Sequence, residues 1–472
     1  MRWAHRCFES RWTLTGWDSI SQPSATSTKY YMPDKKIFCS SPWVHIKIGY
    51  VGRYWLCRWQ YDNHPTNTMN VADTSILEFF NSERMNKFRS DILQYKPMRE
   101  CTSCTYEDSF GKVSGRAKQL YRSNISVESF DQDYEKSPHR EMFDYSENNA
   151  GQSQEHPYDL QINLSNVCNS ACIMCSPSLS TRLDQDYKKL ATYSPLFRQA
   201  PAFTCWTADP ALVEKFIHDL KELNSIEYIH LLGGETLYLP SFYTICDALI
   251  ESGLSENIFL GTTTNLTVYS DRLEDIIPKF KKFHIGLSIE SVNPLNDYIR
   301  YPSEISAVLE TLGRFLALRE KFPTIHLTLR ITPNIFSIFY LDEVIQFMCD
   351  NNITGESCNI LKYPPCLRIE LIPDEIRVVV IDKIRKVIER NSLAPEKVVD
   401  ARNPNLIKQV ISSVAFSYVD VLENMTFPAD GEQCRHDLVT FLSGFESIRN
   451  NSILDYAPEY ESFLTTYGYK HK

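Results

Sequence analysis

Three cysteines in one short loop constrain this chain more than any other feature of its sequence. Cys168, Cys172 and Cys175 have the spacing C-x3-C-x2-C and directly follow a run of alternating apolar and polar residues that is typical of a strand. A structural zinc site needs four closed ligands and usually takes them from distant parts of the chain. An iron–sulfur cluster held by three cysteines instead leaves one iron open to another molecule. The spacing therefore favours an open iron–sulfur cluster over a structural metal site.

The composition is that of a globular protein with more than one domain. The chain has 472 residues, which is too many for one ordinary core. Its formal net charge is −10 without a basic block, which disfavours a nucleic-acid groove. No apolar run reaches the roughly 18 residues of a membrane span, and the N-terminus lacks the pattern of a signal peptide. The 14 cysteines, some in C-x2-C spacing, are typical of metal ligands in a reducing cytoplasm, so we expect a cytoplasmic protein.

A second group of cysteines lies nearer the N-terminus. Cys39 and Cys57 flank a hairpin-like segment, and Cys101 and Cys104 form a C-x2-C pair after a stretch of helical periodicity at residues 74–95. Four cysteines in two pairs could close around zinc or hold a second iron–sulfur cluster, and the spacing alone favours neither. The sequence therefore predicts a second metal centre without identifying the metal.

Strands and helices alternate through the middle of the chain. The strand segments at residues 158–164, 284–290 and 325–332 place polar side chains on one face and mainly aliphatic ones on the other. Further strand candidates are residues 226–232, 258–265 and 358–361. This alternation predicts an α/β fold with a parallel sheet. Because a closed (β/α)8 barrel has mostly aliphatic inward faces, the polar faces indicate an open, partial (β/α)6 TIM-like barrel around a polar cavity.

Several of these strands end in glycines or polar residues that could bind a ligand. Paired glycines let a ligand approach the backbone, and a carboxylate beside them can accept hydrogen bonds from an ammonium group. A guanidinium on an inward face is suited to a carboxylate. Each could equally be a polar barrel residue satisfied by its neighbours. The candidates are Gly233, Gly234 and Glu235 after the second strand, Asn265 at the end of the third, Ser288 and Glu290 on the fourth, and Arg330 on the fifth.

The cysteine loop resembles the cluster-binding loop of the radical S-adenosylmethionine (radical SAM) superfamily. The resemblance implies a partial barrel, a [4Fe–4S] cluster on Cys168, Cys172 and Cys175, and S-adenosylmethionine bound at the open iron. It places the segment 233–235 at the methionine amino group of that cofactor. It also implies contacts to the ribose and carboxylate for the other candidates, which are Asn265, Ser288, Glu290 and Arg330.

The four N-terminal cysteines resemble the ligands of a twitch domain, the half of a SPASM domain that holds one auxiliary [4Fe–4S] cluster in radical SAM enzymes. Such a domain usually follows the catalytic domain, whereas here it comes first. The domains predicted in this way are a disordered or misassigned N-terminus (residues 1–31), a twitch-like domain (32–120), a linker (121–156), the radical SAM partial barrel (157–370) and a helical C-terminal extension (371–472).

The resemblance implies reductive cleavage of S-adenosylmethionine and hydrogen-atom abstraction by a 5′-deoxyadenosyl radical. The partners would be an electron donor such as flavodoxin or ferredoxin, and a substrate that no motif identifies. Auxiliary-cluster domains recur in peptide-modifying members, so we expect a peptide or protein first and a sugar or nucleotide second. A third hypothesis is a non-catalytic iron–sulfur or zinc interaction protein. We also expect the twitch-like domain to close over the barrel mouth, where a cleft would accept an extended peptide.

Overall fold

The computed structural model covers most of the chain in several stretches. The prediction for residues 1–31 falls outside them and stays a prediction. The described ranges are residues 38–60, 68–109, 114–122, 130–137, 139–199, 202–355, 359–395 and 407–471.

One eight-stranded sheet, in the order β2-β1-β3-β4-β5-β6-β7-β8, lies at the centre of the described chain. Its strands are β1 (His45–Ile48), β2 (Tyr54–Trp55), β3 (Asp159–Asn163), β4 (Tyr228–Leu232), β5 (Phe259–Thr264), β6 (Lys282–Ser288), β7 (Ile325–Arg330) and β8 (Thr354–Gly355). All neighbours pair in parallel except β1 and β2, which are antiparallel. Because β2 and β8 end the sheet without pairing to each other, the barrel is open, which confirms the predicted fold class.

The strand alternation divides the sheet into two faces. Aliphatic and aromatic residues in register, such as Leu160, Ile229, Leu260 and Phe283, form one core with the buried faces of the helices. The polar residues between them face the other side of the sheet. The last strand among the described residues is Thr354–Gly355. Residue 358, where the predicted strand 358–361 begins, lies outside the described residues, and Leu361 packs into the core from an irregular stretch.

The helices surround this sheet and continue beyond it in the C-terminal region, as expected. They are α1 (Ser41–Val44), α2 (Ile76–Phe80), α3 (Glu83–Leu93), α4 (Thr102–Ser109), α5 (Gly115–Arg122), α6 (Phe130–Glu135), α7 (Arg140–Asn148), α8 (Thr181–Leu190), α9 (Pro210–Lys221), α10 (Pro240–Glu251), α11 (Leu273–Ile276), α12 (Leu295–Ile299), α13 (Ile305–Lys321), α14 (Leu341–Asp350), α15 (Asp374–Arg390), α16 (Ile407–Asn424), α17 (Gly431–Arg449) and α18 (Glu461–Thr466). Within the described part of the chain, none of these helices combines the length and apolar character that crossing a membrane requires.

The N-terminal region contributes a strand to the central sheet. β1 pairs in parallel with β3, and the backbone N–H of Tyr158 donates to the carbonyl of Val44 at 3.1 Å. The segment 121–156, which the sequence predicts to be a linker, contains α6 and α7 in its described residues. Phe143 of α7 is fully buried, and the Trp43 Nε1–H donates to Ser146 Oγ at 2.7 Å. A few aromatic side chains thus anchor a mostly polar segment onto the N-terminal region.

Candidate functional site

The three-cysteine loop lies at the C-terminal edge of the sheet, directly after β3. Neighbouring segments hold it on both sides. The N–H groups of Ala171 and Ile173 donate to the carbonyls of Tyr301 at 2.7 Å and Ile299 at 2.9 Å. Ser180, the N-cap of α8, donates from its hydroxyl to a further loop carbonyl at 2.6 Å. The loop therefore has a defined shape, with all three cysteines partly exposed.

The chemistry of the three thiols fits a cluster with several iron ions. Burial raises the pKa of Cys168 and of Cys175 to about 12, and the nearby Cys172 raises both further. Burial also raises the pKa of Cys172, while Arg300 and Arg449 oppose that rise. Grouped thiolates are costly to bury unless a cationic centre compensates their charge. Three partly exposed sulfur donors on a fixed loop supply that kind of ligand set.

Asn265 links the cysteine loop to the neighbouring strands. Its Nδ2 donates to Asn169 Oδ1 and to Ser170 Oγ, both at 2.9 Å, and lies 3.9 Å from Cys168 Sγ. Its backbone N–H donates to Glu235 Oε2 at 2.6 Å. The structure therefore brings together three separate predictions, namely the cysteine loop, the Gly-Gly-Glu turn and the end of the third barrel strand.

The Gly-Gly-Glu turn packs directly on the entrance to the cysteine loop. The N–H of Gly234 donates to the carbonyl of Ser165 at 2.8 Å, and that of Glu235 to the carbonyl of Val167 at 2.9 Å. Glu235 is 1% exposed, and its Oε1 also accepts from the N–H of Leu237 at 3.1 Å. Burial raises the pKa of its carboxyl to about 7. Gly233 lies beside it, against the side chain of Leu239.

Ser288 and Arg330 are register partners at the ends of β6 and β7, and both are partly exposed. The Arg330 side chain passes over Gly286, where an added Cβ would overlap its Nε. The missing side chain at residue 286 thus makes room for the guanidinium on the polar side of the sheet.

Glu290 has its partners within the chain. Its Oε1 accepts from Arg300 Nη2 at 2.7 Å and its Oε2 from the N–H of Thr332 at 2.9 Å. Arg300 also points its Nη1 at Cys172 Sγ, 3.9 Å away. Sequence reasoning missed Arg300, because it follows the short helix α12 and no spacing relates it to the cysteine motif.

The C-terminal extension also contacts the cysteine loop, although its sequence shows no chemistry. Arg449, the last residue of α17, donates from Nη2 to the carbonyl of Ala171 at 2.7 Å and to Asp186 Oδ2 at 2.8 Å. Both side chains of this ion pair are at most one-tenth exposed. The loop is therefore fixed from a segment that lies far away in sequence.

The four N-terminal cysteines share one small region. Burial raises the pKa of all four thiols, that of Cys101 to about 12, and proximity to Cys57 raises those of the other three further. The guanidinium of Arg116 lies beside Cys104 and opposes the rise. Among the residues that the structure describes, no three His, Cys, Asp or Glu side chains form a group that could hold a single metal ion, whereas a [4Fe–4S] cluster takes one cysteine ligand at each iron.

The two cysteine sites lie at opposite edges of the sheet. Cys39 precedes β1, and Cys57 follows β2, which runs back toward the start of β1. The next residue, Arg58, binds Asp159 at the first position of β3. The five residues of β3 span about 13 Å, at roughly 3.3 Å for each step. The loop between β1 and β2 reverses the chain and returns it to the N-terminal edge of the sheet. The second cysteine site therefore lies away from the barrel mouth, which differs from the expected closure of the twitch-like domain over that mouth.

Side-chain size also differs between the two ends of the polar face. His230, His284 and His326 are aligned by the register, with ring centroids 6.4 Å and 5.6 Å apart. Two residues further along β6 and β7, toward the C-terminal edge, lie Gly286 and Thr328. The polar face of the sheet therefore carries bulky rings at its N-terminal end and smaller residues, over which the Arg330 side chain passes, nearer the C-terminal edge.

Together these features define an open parallel α/β barrel with an iron–sulfur type of cysteine loop at its C-terminal edge and a second cysteine group at the opposite edge. Comparison with known families agrees with this. The radical SAM superfamily model matches residues 162–332, and the SPASM model, an iron–sulfur cluster-binding domain, matches residues 39–105. Residues 162–332 therefore form a radical SAM domain, and residues 39–105 form a SPASM-type iron–sulfur domain. The cofactors of these families are a [4Fe–4S] cluster with S-adenosylmethionine and auxiliary iron–sulfur clusters, respectively.

Solved structures show a distant likeness. Streptococcus suis SuiB bound to precursor peptide SuiA has 14% identity and a TM-score of 0.34, with 65% of this chain and 62% of that chain covered. Native anSMEcpe with bound AdoMet has 15% identity and a TM-score of 0.35, with 50% of this chain and 62% of that chain covered. The chain thus spans 62% of the length of each. A search of curated proteins found no match.

Proposed function

We propose that this chain is an enzyme that reductively cleaves S-adenosylmethionine at a [4Fe–4S] cluster held by Cys168, Cys172 and Cys175. The observation that carries the proposal is the junction at Asn265, which joins the cysteine loop to the buried carboxylate of Glu235. When bound, the cluster would supply the electron for cleavage of the cofactor to methionine and a 5′-deoxyadenosyl radical, and this radical would abstract a hydrogen atom from the substrate.

In this proposal the residues around the loop bind and orient the cofactor. Glu235 accepts hydrogen bonds from the ammonium group of the methionine moiety. Burial raises its pKa to about 7 in the free protein, and a cation beside it would shift the carboxyl back toward ionisation. Ser288 and Arg330 contribute a hydroxyl and a guanidinium at the next two strand ends. Glu290 takes no direct part, since its oxygens bind Arg300 and Thr332.

We also propose that Cys39, Cys57, Cys101 and Cys104 hold an auxiliary [4Fe–4S] cluster. Cys39 lies within electrostatic reach of the other three thiols, and the guanidinium of Arg116, which is paired with Asp108, lies beside Cys104. A cluster bound by four thiolates carries net negative charge, which a neighbouring guanidinium stabilises.

The substrate that we propose is a peptide or protein. Support comes from four large apolar or aromatic side chains that are exposed around the C-terminal edge, namely Val167, Leu179, Tyr238 and Tyr363. They lie on the cysteine loop and on the segments that follow β4 and β8. Exposed apolar groups at one edge of the sheet favour a partner with a large surface over a small polar molecule.

The first test measures the cofactor chemistry. Protein purified and reconstituted without oxygen should contain iron and sulfide and should form 5′-deoxyadenosine from S-adenosylmethionine with a chemical reductant. Cys172→Ala should abolish this product and remove the iron of one cluster. The control Cys349→Ala changes a partly exposed cysteine on α14, and it should keep both iron and activity. Product formation by Cys172→Ala at the level of the unchanged protein would refute the assignment.

The second test concerns the substrate and also covers the electron donor. Candidate peptides should stimulate 5′-deoxyadenosine formation and change in mass, with flavodoxin or ferredoxin replacing the chemical reductant. Tyr238→Ala combined with Tyr363→Ala should weaken the peptide stimulation and leave cleavage without substrate unchanged, because both side chains are exposed. Stimulation by a nucleotide or sugar, and by none of the peptides, would support the small-molecule alternative.

A further inference from the structure

We infer that Arg300 tunes the reduction potential of the cluster by donating a hydrogen bond to Cys172, and that Glu290 positions Arg300 for this task. The inference rests on the proposed function in one respect, that Cys168, Cys172 and Cys175 hold an iron–sulfur cluster. It assigns to Arg300 a role that the sequence did not indicate. It also assigns Glu290 to the cysteine loop instead of to S-adenosylmethionine.

The backbone places Arg300 opposite Cys172. Two hydrogen bonds join the segments, from the N–H of Ala171 to the carbonyl of Tyr301 at 2.7 Å and from the N–H of Ile173 to the carbonyl of Ile299 at 2.9 Å. The residues between these pairs are Cys172 on one segment and Arg300 on the other. The approach of the guanidinium to the sulfur is therefore fixed by main-chain contacts on both sides.

The side chains complete the same arrangement. Arg300 Nη1 lies 3.9 Å from Cys172 Sγ, while Nη2 donates to Glu290 Oε1 at 2.7 Å. The other carboxylate oxygen accepts from the N–H of Thr332 at 2.9 Å, so Glu290 cannot rotate freely. The two side chains are 11% and 1% exposed, respectively. A planar guanidinium can serve the sulfur and the carboxylate at once, which a lysine ammonium on a flexible stem does less well.

A donor at this sulfur has a defined effect on a bound cluster. Hydrogen bonds to cluster sulfurs withdraw negative charge and stabilise the reduced state, so they raise the reduction potential. Because Glu290 offsets most of the charge of Arg300, the hydrogen bond from Arg300 to Cys172 is the main local effect of this pair on the reduction potential. Asn265 Nδ2 lies at the same distance, 3.9 Å, from Cys168 Sγ, which gives a second and uncharged donor.

The test compares midpoint potentials in variants with equal iron content. Removing Arg300 alone would leave a buried carboxylate unpaired, so the decisive variant combines Arg300→Met with Glu290→Gln. We expect its potential, followed by electron paramagnetic resonance during redox titration, to be more negative than that of the unchanged protein. Arg300→Lys, which keeps the charge, should give a smaller shift in the same direction. Glu290→Gln alone should shift the potential to a more positive value, because it removes negative charge and keeps the donor.

The matched control is Arg182→Met. Arg182 is exposed and donates from Nη1 to the carbonyl of Asn169 in the same loop at 3.1 Å, but it has no sulfur contact. Its removal should leave the potential unchanged. An unchanged potential in the double variant and in Arg300→Lys, at full iron content, would overturn the inference. If the double variant loses its iron, the single variants Arg300→Lys and Glu290→Gln test the inference. It requires a more negative midpoint potential in Arg300→Lys and a more positive one in Glu290→Gln. Absence of iron and sulfide from the unchanged protein would instead refute the proposed function.

Discussion

Gly234→Ala is the substitution whose effect follows most directly from the structure. A Cβ at this position would overlap the carbonyl oxygen of Val167 and would lie 2.6 Å from its carbonyl carbon and 2.8 Å from the carbonyl oxygen of Asn166. All three are backbone atoms, so no side-chain rotation relieves the overlap. They also directly precede Cys168. The turn or the entrance to the cysteine loop must therefore move.

The expected loss of stability can be worked out from the contacts. Overpacking in a closely packed region costs about 1–3 kcal/mol. Displacement also strains two hydrogen bonds, from Gly234 N to Ser165 O and from Glu235 N to Val167 O, and each is worth about 0.5–1.5 kcal/mol. If both are lost, the free energy of unfolding falls by about 2–6 kcal/mol. A loop that shifts to avoid this loss would move Cys168 instead.

Two measurements separate these outcomes. Urea unfolding of the iron-free protein reports the free energy of unfolding, and iron analysis after reconstitution reports the geometry of the loop. The control is Gly313→Ala in the middle of α13, where an added Cβ meets nothing within 4 Å. There alanine should stabilise the helix by about 0.5–1 kcal/mol. Gly234→Ala with unchanged unfolding free energy and unchanged iron content would refute the reasoning.

Three further predictions concern other parts of the site. Cys101→Ala should remove the iron of one cluster and leave some cleavage of S-adenosylmethionine without substrate, as measured by iron and 5′-deoxyadenosine. Because burial raises the pKa of Glu235 to about 7, the folded iron-free protein keeps a proton that the unfolded chain releases near pH 4.5. Its free energy of unfolding should therefore fall as pH rises through that window, and Glu235→Gln should reduce the slope by up to about 1.4 kcal/mol per pH unit. Arg449→Met breaks a buried ion pair and frees the carbonyl of Ala171, so it should cost about 3–5 kcal/mol and weaken iron retention. Arg435→Met on the same helix, away from the loop, should retain iron fully.

The sequence predicts those parts of the site that depend on local spacing. Three cysteines separated by three and two residues must share a loop, and the alternation in β6 and β7 follows from the period of a strand. For the same reason the Gly-Gly-Glu turn and Asn265 could be placed at strand ends. Parallel strands bring their C-terminal ends to one edge, so their meeting with the cysteine loop follows from the fold class.

Contacts between distant segments could not be predicted in the same way. Glu290 looked like a ligand contact because its alternation places it beyond Ser288, but its partner Arg300 comes from an irregular turn after α12. Arg449 reaches the loop from α17, whose sequence pattern shows only a buried helical face. The linker prediction rested on the polar composition of residues 121–156. Composition does not show that one buried ring, that of Phe143, is enough to anchor such a segment to the N-terminal region.

The position of the second cysteine site changes what an auxiliary cluster could do. The sequence suggested that this cluster would lie above the cysteine loop, beside the substrate. In the structure Arg58, next to Cys57, binds the first residue of β3, whereas the cysteine loop follows the last. A substrate atom that reacts beside Cys168 therefore cannot also bind an iron of the second site, because about 13 Å of strand lies between the two edges. An auxiliary cluster at that edge could exchange electrons through the sheet or stabilise the N-terminal region, but it could not coordinate the atom that reacts beside the cysteine loop.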